Sequence, residues 1–142
     1  MPLEIKSRPG FKINARELKQ IYVCFLKFSK IKKDPSVSLA FVDQKEIKQL
    51  NKIYRQKNRP TDVLSFGSRE SQAIPGESDL GEILICYSVA VSQAKASGHS
   101  TAAEIKILLI HGLLHLMGFD HKNIKEQKRM KNAEQKICSM LN

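Results

Sequence analysis

Apolar residues recur at intervals of three and four along several parts of the chain, and this spacing predicts amphipathic helices. One helix is predicted over residues 15–30, after Asn14, which is a suitable N-cap. A second is predicted over 44–54, after a suitable cap at Asp43. A third helix is predicted at the end of the chain, over 124–141. Each of them can bury one side against a core.

Two further helices are predicted in the second half of the chain. The first covers 89–97, where Ser88 is a suitable cap and Gly98 a suitable stop. The second covers about 101–117 and is strongly apolar. Thr101 and the glutamate three residues later form a capping box at its start.

Short apolar runs between the helices predict β-strands. They are VSLAFV at 37–42, DVLSF at 62–66, EILICY at 82–87 and an N-terminal strand near LEIKS at 3–7. The polar, turn-rich stretch SRESQAIPGESD at 68–79 is predicted to be the most mobile loop.

Together these elements predict an α+β fold, with a small mixed β-sheet of about four strands packed with helices. The length of 142 residues is that of one ordinary domain. The chain shows no internal repeat and no second domain. We therefore predict a single domain over residues 1–142.

Positive charge is concentrated in the first half of the chain. The net charge is +10; residues 1–70 hold 16 Lys and Arg against 7 Asp and Glu, and residues 71–142 hold 8 against 7. Such a one-sided excess is typical of proteins that bind a polyanion, nucleic acid above all. Charge alone leaves the alternative open that these residues form a solvated basic surface.

The composition favours a cytoplasmic protein that is not in a membrane. The longest apolar candidate is interrupted by Lys106, His111 and His115, so no membrane span is predicted. The start MPLEIKSRPG lacks the apolar segment of a secretory signal. The chain has three cysteines and no CxxC pair, which indicates inert core thiols in a reducing compartment.

The segment HGLLHLMGFDH at 111–121 contains three of the four histidines. His111 and His115 project from one face of the predicted helix, separated by about 40° and about 6 Å of rise. His121 would lie about 15 Å along the same helix from the first histidine, too far to join the pair. Gly118 can end the helix in the left-handed conformation, with Phe119 packed on the preceding turn, and so return His121 towards the pair.

Three neutral imidazoles with a fourth position open are typical of a catalytic zinc site. We predict one Zn²⁺ ion held by His111, His115 and His121, while nickel and copper stay open as alternatives. The glycine stop and the third histidine disfavour the alternative of ordinary core histidines. Two roles stay open for Asp120, which could orient a metal ligand or form a local turn. His99 is not expected to be a metal ligand.

The histidine spacing also matches the HExxHxxGxxH helix of metzincin proteases, but Gly112 stands where those enzymes have glutamate. That glutamate is their general base, and glycine cannot transfer a proton. A protease is therefore disfavoured. Zinc lowers the pKa of its bound water to about 7, so phosphodiester hydrolysis remains available.

Three blocks of the sequence resemble the YbeY family of endoribonucleases, the rRNA maturation factors. They are LNKIYRQKNRPTDVLSFG at 50–67, LGEILICYSVAVSQAKASGHS at 80–100 and HGLLHLMGFDH at 111–121. The last block meets the family's HGxLHLxGyDH motif with Phe119 in place of tyrosine. The resemblance implies that the three histidines of this motif are metal ligands.

The resemblance also implies that Arg55 is a catalytic residue facing phosphate, because Tyr54 and Arg55 match the family's Tyr-Arg pair. The predicted catalytic residues are Arg55 and His115. A guanidinium can stabilise charge on a phosphorus centre, although Arg55 also suits the end of a helix. Asn58 and Gly67 depart from the family's usual Asp and Pro, which puts the local loop shape in doubt.

Neighbouring residues bear on how RNA would bind. Lys57 and Arg59 are predicted to contact backbone phosphates. Side chains of Thr61, Asp62 and Ser65 could line the RNA-binding cleft or point into the core. The sequence does not decide between these positions, because successive strand residues point to opposite faces. Aromatic residues make up 6% of the chain and tryptophan is absent, which favours backbone-led binding of single strands with weak sequence selectivity.

The preferred hypothesis is a zinc-dependent, single-strand-specific endoribonuclease. The resemblance implies a role in rRNA maturation at the small-subunit 3′ end and in ribosome assembly, with small-subunit ribosomal proteins or an assembly GTPase as partners. DNA is not an expected substrate. Two alternatives stay open: a non-catalytic RNA-binding assembly factor with a structural metal, and a metallohydrolase of a small substrate.

Overall fold

The structure, a computed structural model, describes residues 3–31, 35–67 and 79–141. The helices and strands in these ranges are, in chain order, β1 (Leu3–Lys6), α1 (Ala15–Ser29), β2 (Ser36–Val42), α2 (Gln44–Arg55), β3 (Val63–Gly67), β4 (Asp79–Cys86), α3 (Tyr87–Ser97), α4 (Thr101–Leu116) and α5 (Ile124–Met140). Residues 68–78 of the loop predicted to be mobile lie outside the described residues. The last residue of that prediction, Asp79, is the first residue of β4.

The four strands form one mixed sheet in the order β1-β2-β4-β3. Strands β1 and β4 both run parallel to β2, and β3 runs antiparallel to β4. A parallel pair needs a crossover connection, which α1 supplies between β1 and β2. The predicted α+β class and mixed sheet are therefore confirmed.

Side chains on the two faces of the sheet belong to different apolar clusters. The larger cluster joins alternate residues of β2 and β4 to α1, α4 and α5, and its sheet members include Leu39, Phe41, Ile83 and Ile85. The smaller cluster, on the other face, includes Ile47 of α2 with Val42, Leu64, Phe66 and Cys86. The alternation expected of strands thus places helices on both faces.

The N-terminal caps of the first two helices are as predicted. The side chain of Asn14 accepts a hydrogen bond from the backbone N–H of Glu17 at 3.1 Å. That of Asp43 accepts one from Glu46 at 2.9 Å. Both contacts satisfy backbone donors that the first helical turn leaves unpaired.

Two predicted caps in the second half are wrong by one or two residues. The cap of α4 is Ser100, whose hydroxyl accepts from the backbone of Ala103, so Thr101 is already helical. Helix α3 begins at Tyr87, and the side chain of its N-cap residue, Cys86, does not accept a capping hydrogen bond from the first turn. Strand β4 passes directly into this helix, which places Ser88 within the first turn.

The cysteine prediction is right for Cys86, which is buried, whereas Cys24 and Cys138 are half-buried. All three are free thiols. Along the described residues, no helix combines the length and apolarity that crossing a membrane requires.

Candidate metal centre

The chain reverses direction immediately after α4. Gly118 has a φ of 97°, and its N–H donates to the carbonyl of His115 at 3.0 Å. The N–H of Phe119 donates to the carbonyl of Leu114 at 3.0 Å, which completes a Schellman motif. The Phe119 ring packs against the larger apolar cluster. The predicted glycine stop is therefore present, with Gly118 in the left-handed conformation.

The reversal brings His121 to the two histidines of α4. The Nε2 atoms of His111 and His115 are 3.0 Å apart. One ring nitrogen from each of the three histidines lies within 4.8 Å of the other two. A tetrahedral zinc ion at about 2.0 Å from each nitrogen requires nitrogens about 3.3 Å apart. The three side chains can therefore hold one metal ion.

Burial favours the neutral form of the central histidine. The pKa of His115 is lowered chiefly because its ring is half-buried, and the charges of His111 and His121 lower it further. Asp120 and a backbone hydrogen bond at Phe119 act in the opposite direction. Neutral imidazole is the form that binds metal, so the pKa shift favours ligation.

Asp120 lies beside the cluster and is held by the backbone. The N–H of His121 donates to its Oδ1 atom at 2.7 Å, and this hydrogen bond is the main reason that the pKa of Asp120 is lowered. Oδ1 of Asp120 is 3.8 Å from Nδ1 of His121, which is beyond hydrogen-bonding distance. The hydrogen bond to His121 is typical of a turn-forming residue, the second of the two roles considered for Asp120.

The histidines form one wall of an open cleft of about 460 Å³. The rest of the lining comes from α2, the segment after it and β3. These lining residues are Asn51, Arg55, Lys57, Arg59, Thr61, Asp62, Val63, Leu64 and Ser65. The structure thus places the three basic residues predicted to contact phosphate, Arg55, Lys57 and Arg59, in the same cleft as the histidines. It also decides the open question for Thr61, Asp62 and Ser65, which line the cleft.

Arg55 is the last residue of α2 and is held against β3. Its Nη2 atom donates to the carbonyl of Ser65 at 2.9 Å. The centre of its guanidinium is 4.9 Å from the centroid of the Phe66 ring, within the range of a cation–π contact. The guanidinium is therefore fixed at the cleft wall, while its position also suits the helix dipole.

Sequence reasoning missed Asn51, which lines the cleft and holds the backbone of the segment after α2. Asn51 is 3% exposed, and its Nδ2 atom donates to the carbonyl of Arg59 at 2.9 Å. It lies four residues after buried Ile47, so it shares the buried face of α2. A polar residue at a core-facing helical position was the signal that could have identified it.

Gly112 faces the sheet and not the cleft. A Cβ atom at this position would lie 3.0 Å from Cγ2 of Ile83. Helix α4 therefore packs on β4 too closely for a larger side chain. His99 is also outside the cluster, since its Nε2 atom contacts the buried carboxylate of Glu104 at 2.6 Å.

These features define a class: a small α+β protein with a cluster of three histidines that could hold a metal ion in an open, basic cleft. The chain belongs to the endoribonuclease YbeY family, whose model matches residues 6–142. A relative in Syntrophomonas wolfei, named endoribonuclease YbeY, is 40% identical over 138 residues, covering 89% of this chain and 88% of its own. A relative of the same name in Phytoplasma australiense is 38% identical over 144 residues, and the match covers 100% of this chain and 96% of that relative.

A solved structure has the same fold. The solution structure of TM1509 from Thermotoga maritima aligns with a TM-score of 0.61 and 25% sequence identity. The alignment covers 97% of this chain and 90% of that one. The similarity therefore extends over almost the whole length of both proteins.

Proposed function

We propose that this protein is a zinc-dependent endoribonuclease that cleaves single-stranded RNA. Membership of the endoribonuclease YbeY family supports the reaction class. The observation that supports the mechanism most directly is the group of three ring nitrogens within 4.8 Å of one another at the wall of a basic cleft. We further propose that it acts in the cytoplasm on the 3′ end of small-subunit rRNA.

In this proposal His111, His115 and His121 hold the metal. A bound zinc ion supplies a water with a pKa near 7 and neutralises charge on the phosphate. The lowered pKa of His115 keeps its imidazole neutral at physiological pH. Helix α4 and the turn at Gly118 supply the positions of the three rings.

Arg55 binds the scissile phosphate in this proposal. The contact between its Nη2 atom and Ser65 sets the plane of the guanidinium. A guanidinium presents five N–H donors in a planar fork that matches phosphate oxygens. Donors that are already oriented before the reaction stabilise the charge that builds up on the phosphoryl group.

Lys57 and Arg59, in the segment between α2 and β3, add positive charge to the lining of the cleft. We propose that they bind phosphates of the strand on either side of the cleavage site. Contacts to the backbone do not distinguish base sequence, so selectivity for an rRNA end comes from partners. The proposed partners are small-subunit ribosomal proteins or an assembly GTPase.

A cleavage assay on a labelled single-stranded RNA tests the proposal. We expect the purified protein to cut the RNA, chelation to abolish cutting, and added Zn²⁺ to restore it. His115→Ala should remove activity while the circular-dichroism spectrum stays that of the folded protein. Duplex RNA and single-stranded DNA of the same sequence are the matched controls, and neither should be cut.

Two results would reject the proposal. One is cleavage that persists in the chelated protein or in folded His115→Ala protein. The other is saturable RNA binding without cleavage at one zinc per chain. The second result would favour the RNA-binding assembly factor with a structural metal.

A further inference from the structure

A carboxylate from a different helix lies beside the histidine cluster. Oε1 of Glu134, on α5, is 3.4 Å from Nδ1 of His111, across a sequence separation of 23 residues. The other ring nitrogen of His111, Nε2, is 3.0 Å from Nε2 of His115. One nitrogen of the ring therefore faces the cluster and the other faces Glu134.

We propose that Glu134 is a positioning residue for the metal site. It accepts a hydrogen bond from Nδ1 of His111 and so holds the proton on that nitrogen. Nε2 is then left without a hydrogen and is available to bind a metal, because a neutral imidazole has only one N–H. A carboxylate in this position also fixes the orientation of the imidazole ring. This inference rests on the metal site of the proposed function and does not depend on the RNA substrate.

The packing of α5 determines where Glu134 lies. Met130, Ala133 and Ile137 of this helix are at most 5% exposed and belong to the larger apolar cluster. Glu134 follows Ala133 directly and so lies at the border of the buried face. Its side chain and that of His111 are each 31% exposed. Water therefore screens the pair less than it would screen a fully exposed pair.

The other two histidines have different surroundings. The ring of His115 has a backbone hydrogen bond at Phe119. Asp120 is 3.8 Å from the ring of His121, which is too far for a hydrogen bond. Within residues 3–31, 35–67 and 79–141, Glu134 is thus the carboxylate that approaches a ring nitrogen of the cluster within hydrogen-bonding distance.

Zinc affinity tests the proposal without any RNA. Zn²⁺ binding to the full-length, metal-free protein is measured by competition with a chromophoric chelator. We expect Glu134→Gln, which keeps the shape but removes the charge, to raise the dissociation constant about tenfold. Glu134→Asp, whose carboxylate is one methylene shorter, should weaken binding at least as much. The control is Glu4→Gln, which removes an equal charge from β1. This strand is at the edge of the sheet opposite to β3, so the replacement should leave zinc affinity unchanged.

Nitrogen-15 NMR of the histidine rings gives an independent test in the unmodified protein. In the metal-free protein at neutral pH, His111 should be protonated at Nδ1, and Glu134→Gln should shift the ring towards a mixture of the two tautomers. A ring protonated at Nε2, or a Glu134→Gln protein with wild-type zinc affinity, would overturn the proposal. If the protein did not cleave RNA, the zinc affinities and the histidine NMR signals would be unchanged. Failure of the proposed function can therefore be distinguished from failure of the role proposed for Glu134.

Discussion

Gly112 is the residue that separates this site from a metzincin-type protease site of the same histidine spacing. Those enzymes have their general base at this position, whereas Gly112 here is buried against Ile83. A glutamate at 112 would point into the sheet and not towards the three histidines. The lack of a base at this position and the close packing of α4 on β4 are thus two consequences of one glycine.

Gly112→Glu should therefore destabilise the protein and should not create a peptidase. The introduced carboxylate would be buried without a partner, so we expect the free energy of unfolding to fall by about 3 kcal/mol or more. Urea denaturation followed by circular dichroism measures this change. Ile107→Glu is the control on the same helix, because Ile107 is 42% exposed and its replacement should change stability by less than about 1 kcal/mol. Equal stability of the two variants would contradict this packing.

Arg55→Lys should reduce catalysis although it preserves the charge. Lysine lacks the planar fork and cannot bond the Ser65 carbonyl and a phosphate in the same geometry. We expect kcat to fall about 100-fold while zinc affinity stays that of the wild type. Lys52→Gln, at an exposed position one turn earlier in α2, should leave kcat nearly unchanged. A smaller effect for Arg55→Lys than for Lys52→Gln would remove Arg55 from the proposed machinery.

At the scale of secondary-structure elements, the turn between α4 and α5 decides whether a helix with two histidines becomes a three-histidine site. Two backbone hydrogen bonds and the left-handed Gly118 define this turn. The residues concerned lie within ten positions of one another in the sequence. The geometry of a helix and its cap is local, which is why the periodicity and the glycine were enough to predict it.

Gly118→Ala tests this element directly. Alanine is strained at a φ of 97°, so we expect a loss of about 1 kcal/mol in stability and weaker zinc binding through displacement of His121. Gly98→Ala is a matched control, because Gly98 ends α3 with a φ of 74° and, among the described residues, neither glycine has a neighbour that a Cβ atom would meet. It should lose similar stability with unchanged zinc affinity. Equal zinc affinities for the two variants would show that the Gly118 turn does not position His121.

Other elements were predicted less well where two of them are joined without a loop. Strand β4 passes into α3 at Tyr87, so the cap expected at Ser88 does not exist. Hydrogen bonds to β2 and β3 extend the strand as far as Cys86, and a single-sequence pattern does not contain these partners. The same pairing starts β4 at Asp79, three residues before the predicted start.

At the scale of the whole molecule, positively charged residues of the first half and the histidine cluster of the second half meet in one cleft. Arg55, Lys57 and Arg59 line the same cleft as the three histidines. The uneven charge distribution is visible in the sequence. That it faces the histidines depends on the antiparallel pairing of β3 with β4, onto which α4 packs.

Binding of single-stranded RNA should therefore depend strongly on salt. Each phosphate contact on a single strand adds about −0.7 to the slope of log K against log salt, so three contacts predict about −2 and a fall of about 20-fold between 50 and 200 mM. Fluorescence anisotropy with chelated protein measures this slope without cleavage. Replacing Lys57 and Arg59 together by glutamine should reduce the slope to about −0.7. A slope that this double replacement does not alter would exclude these residues as phosphate contacts.

The sequence alone was sufficient to predict that these helices and strands exist and that three histidines cluster, because periodicity, caps and turns depend on residues close together in the chain. The arrangement of β1-β2-β4-β3, the placement of Arg55 on Ser65 and the approach of Glu134 to His111 were decided by tertiary packing. Such contacts join segments that are distant in sequence, and their distances depend on how whole helices and strands pack together. Local periodicity contains no information about those distances.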